Sequence, residues 1–523
     1  MIFKSPYPDI AIPEVPIADF ILENASRFSA KPALIDAITD RSLTYEELPD
    51  LVNRTAAGLA ARGFQKGDVF AIHCLNYPEY SVAFLAVAKL GGVCTMVSPL
   101  FNEAELTTQL KDSGAKYLLT DPQLADVALA AARAVDLREV FVLGEVDGVT
   151  SFRTLLDNSG EAPSVEIDPR SDLVALPYSS GTTGLPKGVM LTHYNLVATL
   201  RQMETVDVLR SQDTTICVVP CYHLYGLHIV INLALRTGAT AILLRQFDLE
   251  KFLRALEKYQ VNVVPAVPPI VLALSASPLV DRYDLSKLEA LHCGAAPLST
   301  EVANSCSERL GLRISYGYGM TELSSVSHLS YRNAEKHKPD STGYCLPNTV
   351  CKIIDLESKN DLEPGEKGEV CVSGPQVMKG YLGQPEATAE IIDSESWLHT
   401  GDIGYADEDG ALFIVDRLKE LIKYKGRQVA PAELEAVLLS HPAIADAAVI
   451  PSPDEKAGEV PIAFVVLKKS ATPDEIIDFV AERVAAHKKI RRVEFVDQIP
   501  RNPAGKILRR LLVQRVREHI RRS

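Results

Sequence analysis

The sequence predicts a multidomain α/β protein, with a large N-terminal domain built on mostly parallel sheets and a small α+β C-terminal domain. Short apolar runs alternate with helical patterns over about the first 345 residues, which is typical of parallel strands covered by helices. After that point the alternation gives way to strand patterns and Gly-rich turns. The length of 523 residues also exceeds one ordinary domain.

Each element of the first part follows from one of two patterns. Continuous apolar runs indicate strands buried on both faces, and apolar residues three or four positions apart indicate helices. In chain order they predict a strand over 68–73, a helix over 78–90, a strand over 91–97, a helix over 103–113, and strands over 117–120, 215–219, 240–244 and 261–267. We expect these strands to form two mostly parallel sheets.

The second part begins with strand patterns over 369–373 and 411–415, which suggest a short antiparallel or barrel-like section. The final unit has predicted helices over 431–440 and 474–486 and strands over 444–450 and 461–467. Since no long Pro/Gly linker separates the units, the boundary rests on this pattern alone. We place it at 416, which gives domains 1–416 and 417–523.

Composition limits the class of protein. Apolar residues make up 47% and charged residues 23%, as in ordinary globular proteins, and the net charge of −14 argues against nucleic acid as the main partner. No apolar run approaches the ~20 residues that span a bilayer, and the N-terminus does not resemble a secretory signal. Nine cysteines without a C-x-x-C pair are typical of reduced thiols, so we expect a cytoplasmic protein.

The stretch YSSGTTGLPKG over 178–188 is the most informative segment. Small hydroxyl residues, glycines and one lysine follow an apolar strand pattern and precede a helical one. Glycine backbone N–H groups, hydroxyls and an ammonium group suit a loop that closes over a triphosphate, although the segment is not a P-loop. A flexible Ser/Gly linker is the alternative, but its position between ordered elements disfavours it.

Further segments follow this loop in a fixed order. They are PCYHLYG at 220–226, GAAPL at 294–298, GYGMTE at 317–322, WLHTGD at 397–402, DRLKELIKYKG at 416–426 and NPAGK at 502–506. Together with the loop they resemble the acyl-adenylate-forming superfamily, and most of all its 4-coumarate–CoA ligases and their bacterial relatives. The resemblance covers essentially the whole chain.

The resemblance implies a two-step reaction that uses ATP, Mg²⁺ and coenzyme A. A carboxylate first attacks the α-phosphorus of ATP, which gives acyl-AMP and pyrophosphate. The thiol of coenzyme A then displaces AMP, which gives an acyl thioester.

The resemblance also assigns the nucleotide site. Tyr318 would stack on adenine, Thr321 would bind the α-phosphate, Glu322 would help to hold Mg²⁺ and Asp402, assisted by Arg417, would accept the ribose hydroxyls. The other residues assigned to ATP or AMP are Ser179, Ser180, Gly181, Thr182, Thr183, Gly184, Lys187, Gly317, Lys419 and Gln428.

The final unit is expected to be mobile, as in the family. Lys506 would bridge the carboxylate and the α-phosphate during adenylation. The unit would then rotate about Lys419 and present a second face, with Lys423, Lys425 and Gly426 beside the thiol channel. His223, in the aromatic segment, would orient the carboxylate or gate the pocket.

The acyl pocket is expected around Tyr225, Ile229, Ala295, Tyr316 and Val326, with Gly317 beside them. Ile229 stands where plant enzymes often have a small polar residue, and Tyr316 stands where glutamine is usual. An aromatic acid is the preferred substrate, with medium-chain and alicyclic acids as alternatives. His228 would meet a polar substituent, face solvent or pack.

Two other functions stay open. A stand-alone adenylating enzyme would pass its acyl group to a separate carrier protein. A non-catalytic relative would bind nucleotide or acid without reaction, but such a protein is expected to lose the charged site residues. Lys187, Glu322, Asp402, Arg417 and Lys506 are all present.

Overall fold

The structure of the chain is a computed structural model. It describes residues 1–522 except 180–185, 331–337, 339, 426, 455–456 and 503–504, and it describes only the backbone of 427, 428 and 517–522. None of the described helices is both long and apolar enough to cross a membrane.

The first large sheet has a parallel centre and an antiparallel edge. Its strands lie in the order Tyr178–Ser179, Lys187–Thr192, Leu173–Ala175, Val93–Met96, Val69–His73, Ala115–Thr120, Glu139–Val142 and Thr150–Ser151, and Gly380–Tyr381 pairs with Lys187–Thr192. The helices of this region are Glu47–Ala61, Pro78–Lys89, Glu103–Ser113, Ala125–Val135 and Arg153–Leu156, with the 3-10 turn Pro122–Leu124. The antiparallel edge brings both ends of the Ser/Thr/Gly-rich loop to this sheet.

The second large sheet also has parallel central strands. Its order is Tyr344–Cys345, His328–Leu329, Ile314–Tyr318, Ala290–Cys293, Val263–Ala266, Thr214–Cys217, Thr240–Leu243, Pro32–Asp36 and Ser42–Thr44. The helices of this region are Ile17–Leu22, His193–Thr205, the π-helix Tyr225–Asn232, Leu233–Thr237, Leu249–Lys258, Pro268–Ala276 and Thr300–Leu310, with 3-10 turns Ala25–Phe28, Pro278–Arg282 and Thr321–Leu323. One large apolar core joins both sheets.

The third sheet is antiparallel throughout. We predicted either an antiparallel or a barrel-like section here. Its order is Ile2–Lys4, Val350–Ile354, Gly368–Ser373, Leu398–Ala406 and Leu412–Arg417, with the short helix Pro385–Ala389 in the region that precedes Leu398. In the described part of the chain no pairing joins its two edge strands, so it is an open sheet and not a closed barrel.

The C-terminal part has apolar clusters of its own, formed by residues from Ile422 to Val516. Its sheet has the order Arg427–Val429, Ile422–Tyr424, Gly458–Leu467 and Ile444–Asp454, and Arg492–Phe495 pairs with Gly458–Leu467. Its helices are Pro431–Leu439, Pro473–Ala481 and Arg509–Arg522, with 3-10 turns Leu418–Glu420 and Ala486–Lys488. The helix predicted to reach 486 ends at Ala481; the domain boundary at 416 stays a prediction.

Candidate active site

A cavity of about 820 Å³ lies where the large sheets, the antiparallel sheet and the C-terminal part meet. Most of the predicted site residues line it. These are Ser179, Lys187, His223, Tyr225, Ile229, Ala295, Gly317, Tyr318, Thr321, Glu322, Val326, Arg417, Lys419, Lys423 and Lys506. Ser180, Gly181, Thr182, Thr183, Gly184 and Gly426 lie outside the described residues, and Gln428 is described only in its backbone.

The two ends of the Ser/Thr/Gly-rich loop are held face to face in a hairpin. Ser179 pairs with Lys187 across the hairpin, and the Lys187 side chain is buried with its Nζ 4.9 Å from the centre of the Tyr381 ring. Ser179 Oγ donates to Glu322 Oε1 at 2.6 Å, and the Tyr381 hydroxyl donates to the same oxygen at 2.8 Å. The hairpin therefore fixes a hydroxyl, a cation and a carboxylate within one small region.

Glu322 fits the role of a magnesium ligand. It stands in the 3-10 turn Thr321–Leu323, and only 3% of it is exposed. Hydrogen bonds from two hydroxyl groups fix the position of its carboxylate. Among the described residues no group of three or more His, Cys, Asp and Glu side chains could hold a metal ion. A Mg²⁺ ion at Glu322 would therefore take its remaining oxygen ligands from nucleotide phosphates and water, which suits this ion.

The predicted ribose and adenine residues are joined by side-chain contacts. Asp402 and Arg417 are cross-strand partners, with Arg417 Nε 3.0 Å from Asp402 Oδ1. The Tyr318 hydroxyl donates to Asp402 Oδ2 at 2.7 Å, and burial together with this carboxylate raises the pKa of Tyr318. Asp402 is only 3% exposed. Both oxygens of Asp402 thus have fixed donors, which sets the position of its carboxylate and of the Tyr318 ring.

A tight turn carries Lys506 into the cavity. Asn502 Oδ1 accepts from the Lys506 backbone N–H at 2.9 Å, and Gly505 has a φ of +80°. A Cβ atom on Gly505 would lie 2.7 Å from Cδ of Pro269, so glycine lets this turn approach the helix Pro268–Ala276. Burial, and to a smaller extent Arg417, lower the pKa of Lys506 to about 8.

The lysines that follow the predicted pivot do not all lie where we expected. Lys419 lines the cavity from the 3-10 turn Leu418–Glu420, and burial lowers its pKa. Lys423 lines the same cavity as Lys506, whereas the prediction assigned these two lysines to different faces of the C-terminal part. Lys425 is exposed, has a φ of +48°, and is absent from the cavity wall. In this arrangement the cavity therefore contains Lys506 and excludes Lys425.

The two histidines of the aromatic segment have different surroundings. His223 lines the cavity with its ring centre 4.3 Å from that of Tyr222, and burial lowers its pKa to about 4. His223 is therefore neutral at pH 7. His228 is fully buried, its Nε2 lies 3.1 Å from the Leu196 carbonyl oxygen, and it packs rather than reaching the cavity.

The part of the cavity beyond His223 is mostly apolar. Tyr225 adds a ring whose hydroxyl donates to the carbonyl oxygens of His292 at 2.9 Å and Ala266 at 3.2 Å. The apolar side chains that line this part include Met203, Val208, Leu209, Ile229, Val263, Val267, Val326 and Leu329. The wall is thus suited to an apolar acyl group.

Tyr316 does not lie where the predicted acyl pocket placed it. It does not line the cavity, and burial together with Cys293 and Asp340 raises its pKa. Its ring packs against the main apolar core instead. Tyr316 therefore does not form part of the cavity wall, where we had placed it.

Several lining residues escaped the sequence reasoning. Tyr381 reaches Glu322 because Gly380–Tyr381 pairs with Val189 and Met190, a pairing between distant segments that no local pattern indicates. His292 enters the apolar part, with Nδ1 2.5 Å from Ser315 Oγ. Glu369 and His399 line the cavity near Asp402. His399 lies inside the WLHTGD segment, which was the available signal for it.

Comparisons with known proteins agree over the whole chain. The family described as AMP-binding enzyme matches residues 21–382, and its C-terminal domain matches residues 433–506. The 4-coumarate–CoA ligase 1 of Solanum tuberosum is 45% identical over 99% of this chain and 97% of that protein. The structure of ATP-bound MatB from Rhodopseudomonas palustris has a TM-score of 0.88 and 28% identity, covering 96% of this chain and 99% of that one. The anthranilate CoA ligase AuaEII in complex with anthranoyl-AMP has a TM-score of 0.88 and 25% identity, covering 98% and 99%.

Proposed function

Because this chain belongs to the AMP-binding enzyme family and is an ATP-dependent acid–CoA ligase, we propose that its substrates are aromatic acids of the cinnamate type. The 45% identity with the 4-coumarate–CoA ligase 1 of Solanum tuberosum supports this substrate class. The apolar wall beyond His223, with the Tyr225 ring in it, is the structural observation that carries the proposal. We propose the cytoplasm as its compartment, where nine free cysteines are stable as thiols.

The residues around the cavity support a division of labour in the first half-reaction. We propose that Lys187 neutralises the β- and γ-phosphates and that Glu322 would help to hold Mg²⁺. When bound, Mg²⁺ supplies charge neutralisation on the phosphate oxygens. Asp402 accepts hydrogen bonds from the ribose hydroxyls, and the Tyr318 ring stacks on the adenine. These contacts fix the α-phosphorus in front of the acyl pocket.

The acid then contacts one neutral group and one cation. His223, which is neutral, orients the carboxylate without competing with it for charge. Lys506 lies between the carboxylate and the α-phosphate, where negative charge accumulates as the new C–O–P link forms and pyrophosphate leaves. Preorganised donors of this kind stabilise such charge more than they stabilise the ground state. In the second half-reaction the thiol sulfur attacks the acyl carbon and AMP leaves.

The substrate proposal is tested by pyrophosphate release with ATP and Mg²⁺ over a panel of acids, with and without coenzyme A. The panel contains benzoates, cinnamates, medium-chain and alicyclic acids, with mass detection of the thioester. We expect cinnamate-type acids to give the highest kcat/KM and an acyl-CoA product. Preference for a medium-chain or alicyclic acid would contradict the proposed class. Acyl-AMP that forms but never reaches coenzyme A would instead indicate a carrier protein as acceptor.

The lowered pKa of Lys506 predicts a pH dependence of the first half-reaction. The ammonium form is present below the pKa of about 8 and is lost as the pH rises through it. We expect kcat/KM for ATP, which reports the free enzyme, to fall by about tenfold per pH unit above that value. The measurement is the initial rate of pyrophosphate release between about pH 6 and pH 10.

The matched control is thioester formation from supplied acyl-AMP, which does not require Lys506. It is expected to lack this alkaline limb. If the rates of both half-reactions fell above the same pH, the titration would belong to another group.

A further inference from the structure

Asp402 stands on an irregular part of its strand. Glu369 pairs with Ile403 and Cys371 pairs with His399, so Val370 alone separates these pairs on one strand while residues 400–402 separate them on the other. This is a β-bulge with more residues on the longer side, and such bulges are typical of sites where a side chain must be aimed. The bulge leaves Asp402 without a partner on the strand Gly368–Ser373, whereas Asp402 keeps its pairing with Arg417 on the other side.

A bulge leaves backbone groups without ladder partners, and side chains replace them here. Thr400 Oγ1 donates to the Val370 carbonyl oxygen at 2.8 Å and accepts from the Asp402 N–H at 3.1 Å. Glu369 Oε1 accepts from the Gly401 N–H at 3.3 Å. Gly401 has a φ of +67°, which glycine adopts at little cost. The conformation of the bulge thus depends on the Glu369 carboxylate.

Glu369 is in turn held by His399. His399 Nδ1 lies 3.5 Å from Glu369 Oε2, and His399 Nε2 lies 3.3 Å from Asp393 Oδ2. Cys371 and Glu369 raise the pKa of His399, and the two ring nitrogens face the carboxylates of Glu369 and Asp393, which favour the imidazolium form. Burial alone would raise the pKa of Glu369, but His399 and Lys359 hold it below its ordinary value. The pair is therefore an ion pair with a 7% exposed carboxylate.

We propose that Glu369 and His399 are positioning residues for ribose recognition, because their ion pair fixes the bulge over residues 400–402 that aims Asp402. Glu369 acts through the Gly401 N–H, and His399 acts through Glu369. Arg417 and Tyr318 hold the carboxylate oxygens of Asp402, and Glu369 holds the backbone N–H of the preceding residue, Gly401. The inference rests on the proposed function, since it takes Asp402 as the acceptor of the ribose hydroxyls.

The test compares the binding of ATP with that of 2′-deoxyATP and 3′-deoxyATP, each with Mg²⁺ and without acid, by calorimetric titration of the full chain. The readout is the discrimination ratio, the Kd of a deoxynucleotide divided by the Kd of ATP. A hydrogen bond to a charged acceptor predicts a ratio of about 10 to 100 in the unchanged protein. We expect Asp402→Asn to reduce the ratio toward unity, which establishes its role.

The same ratio is then measured for Glu369→Ala, for the isosteric Glu369→Gln and for His399→Ala. We expect each to lower the ratio by at least about threefold, while the affinity for the deoxynucleotides changes by less than about twofold, because only the contact with the ribose hydroxyls is lost. Glu369→Gln keeps the test valid if Glu369→Ala does not fold. Lys359→Ala is the matched control: Lys359 lies 3.7 Å from the same carboxylate, but its side chain is 57% exposed, so the ratio should not change.

The outcomes separate the two ideas. If Asp402→Asn leaves the ratio unchanged, the ribose role of Asp402 is wrong and this inference falls with it. If Asp402→Asn abolishes discrimination but the Glu369 and His399 variants weaken all three nucleotides equally, the ribose role stands and the positioning role is overturned. An equal effect of Lys359→Ala would also overturn it, because any nearby cation would then serve as well as His399.

Discussion

Replacement of Lys506 by alanine is expected to abolish acyl-AMP formation and to spare thioester formation from supplied acyl-AMP. Lys506 is half-buried in the cavity wall near Arg417, and it follows the turn at Gly505. It is the group that we propose bridges the carboxylate and the α-phosphate as pyrophosphate leaves. The loss of a preorganised donor at such a position costs roughly 10²–10³ in rate, or about 3–4 kcal/mol. The measurements are pyrophosphate release for the first half-reaction and acyl-CoA formation for the second.

The control for this variant is Lys468→Ala, since Lys468 is an exposed lysine of the same C-terminal part. It should leave both half-reactions unchanged. Equal loss of the two half-reactions in Lys506→Ala would refute the division of labour, because Lys506 would then serve a step or a structural feature common to both.

Replacement of Lys419 by proline is expected to damage thioester formation by at least about tenfold more than adenylation, because proline fixes its own φ and restricts the preceding residue. Lys419 lies in the turn Leu418–Glu420 between the antiparallel sheet and the C-terminal part. The structure already has Lys506 in the cavity, so adenylation needs no rotation at this turn. We propose that thioester formation uses another arrangement, in which Lys425 reaches the site. Single-turnover rates of the two half-reactions measure the difference.

Lys419→Ala separates the backbone effect from the loss of charge, because alanine removes the ammonium group and leaves the backbone free. It should affect the two half-reactions to a similar, smaller extent. If Lys419→Pro damaged both half-reactions equally, the pivot at this position would be contradicted.

Local pattern was sufficient for the elements that are long or fully buried. The predicted strand over 68–73 is Val69–His73, and the predicted helix over 78–90 is Pro78–Lys89 with a proline at its start. Short strands such as Ile2–Lys4 and Gly380–Tyr381 were not predicted. Their stability comes from pairing with segments far along the chain, and three or two residues carry too little pattern to indicate it.

In the nucleotide site, too, local sequence patterns indicated some residues, while others depend on pairing between distant strands. Asp402 and Tyr318 were predicted because the residue types in their segments match a family pattern, and the structure joins them by a hydrogen bond. Tyr381 and Glu369 were missed, because each reaches the site only through the pairing of its strand. Tyr316 differs from the prediction for a related reason, because sequence position alone does not determine whether a ring in the strand Ile314–Tyr318 faces the core or the cavity.

The cluster of positive charge around Lys506 has a consequence for timing. Arg417 and Lys419 disfavour the charged form of Lys506, and Glu420 and Asp402 offset their repulsion only in part. The negative charge of a bound triphosphate and carboxylate would offset this repulsion and hold the lysine in the cavity. The departure of pyrophosphate then removes most of that attraction at the moment when adenylation is complete. If Lys506 has the proposed role, we expect the loss of pyrophosphate to weaken its attraction to the site just before the thiol has to enter.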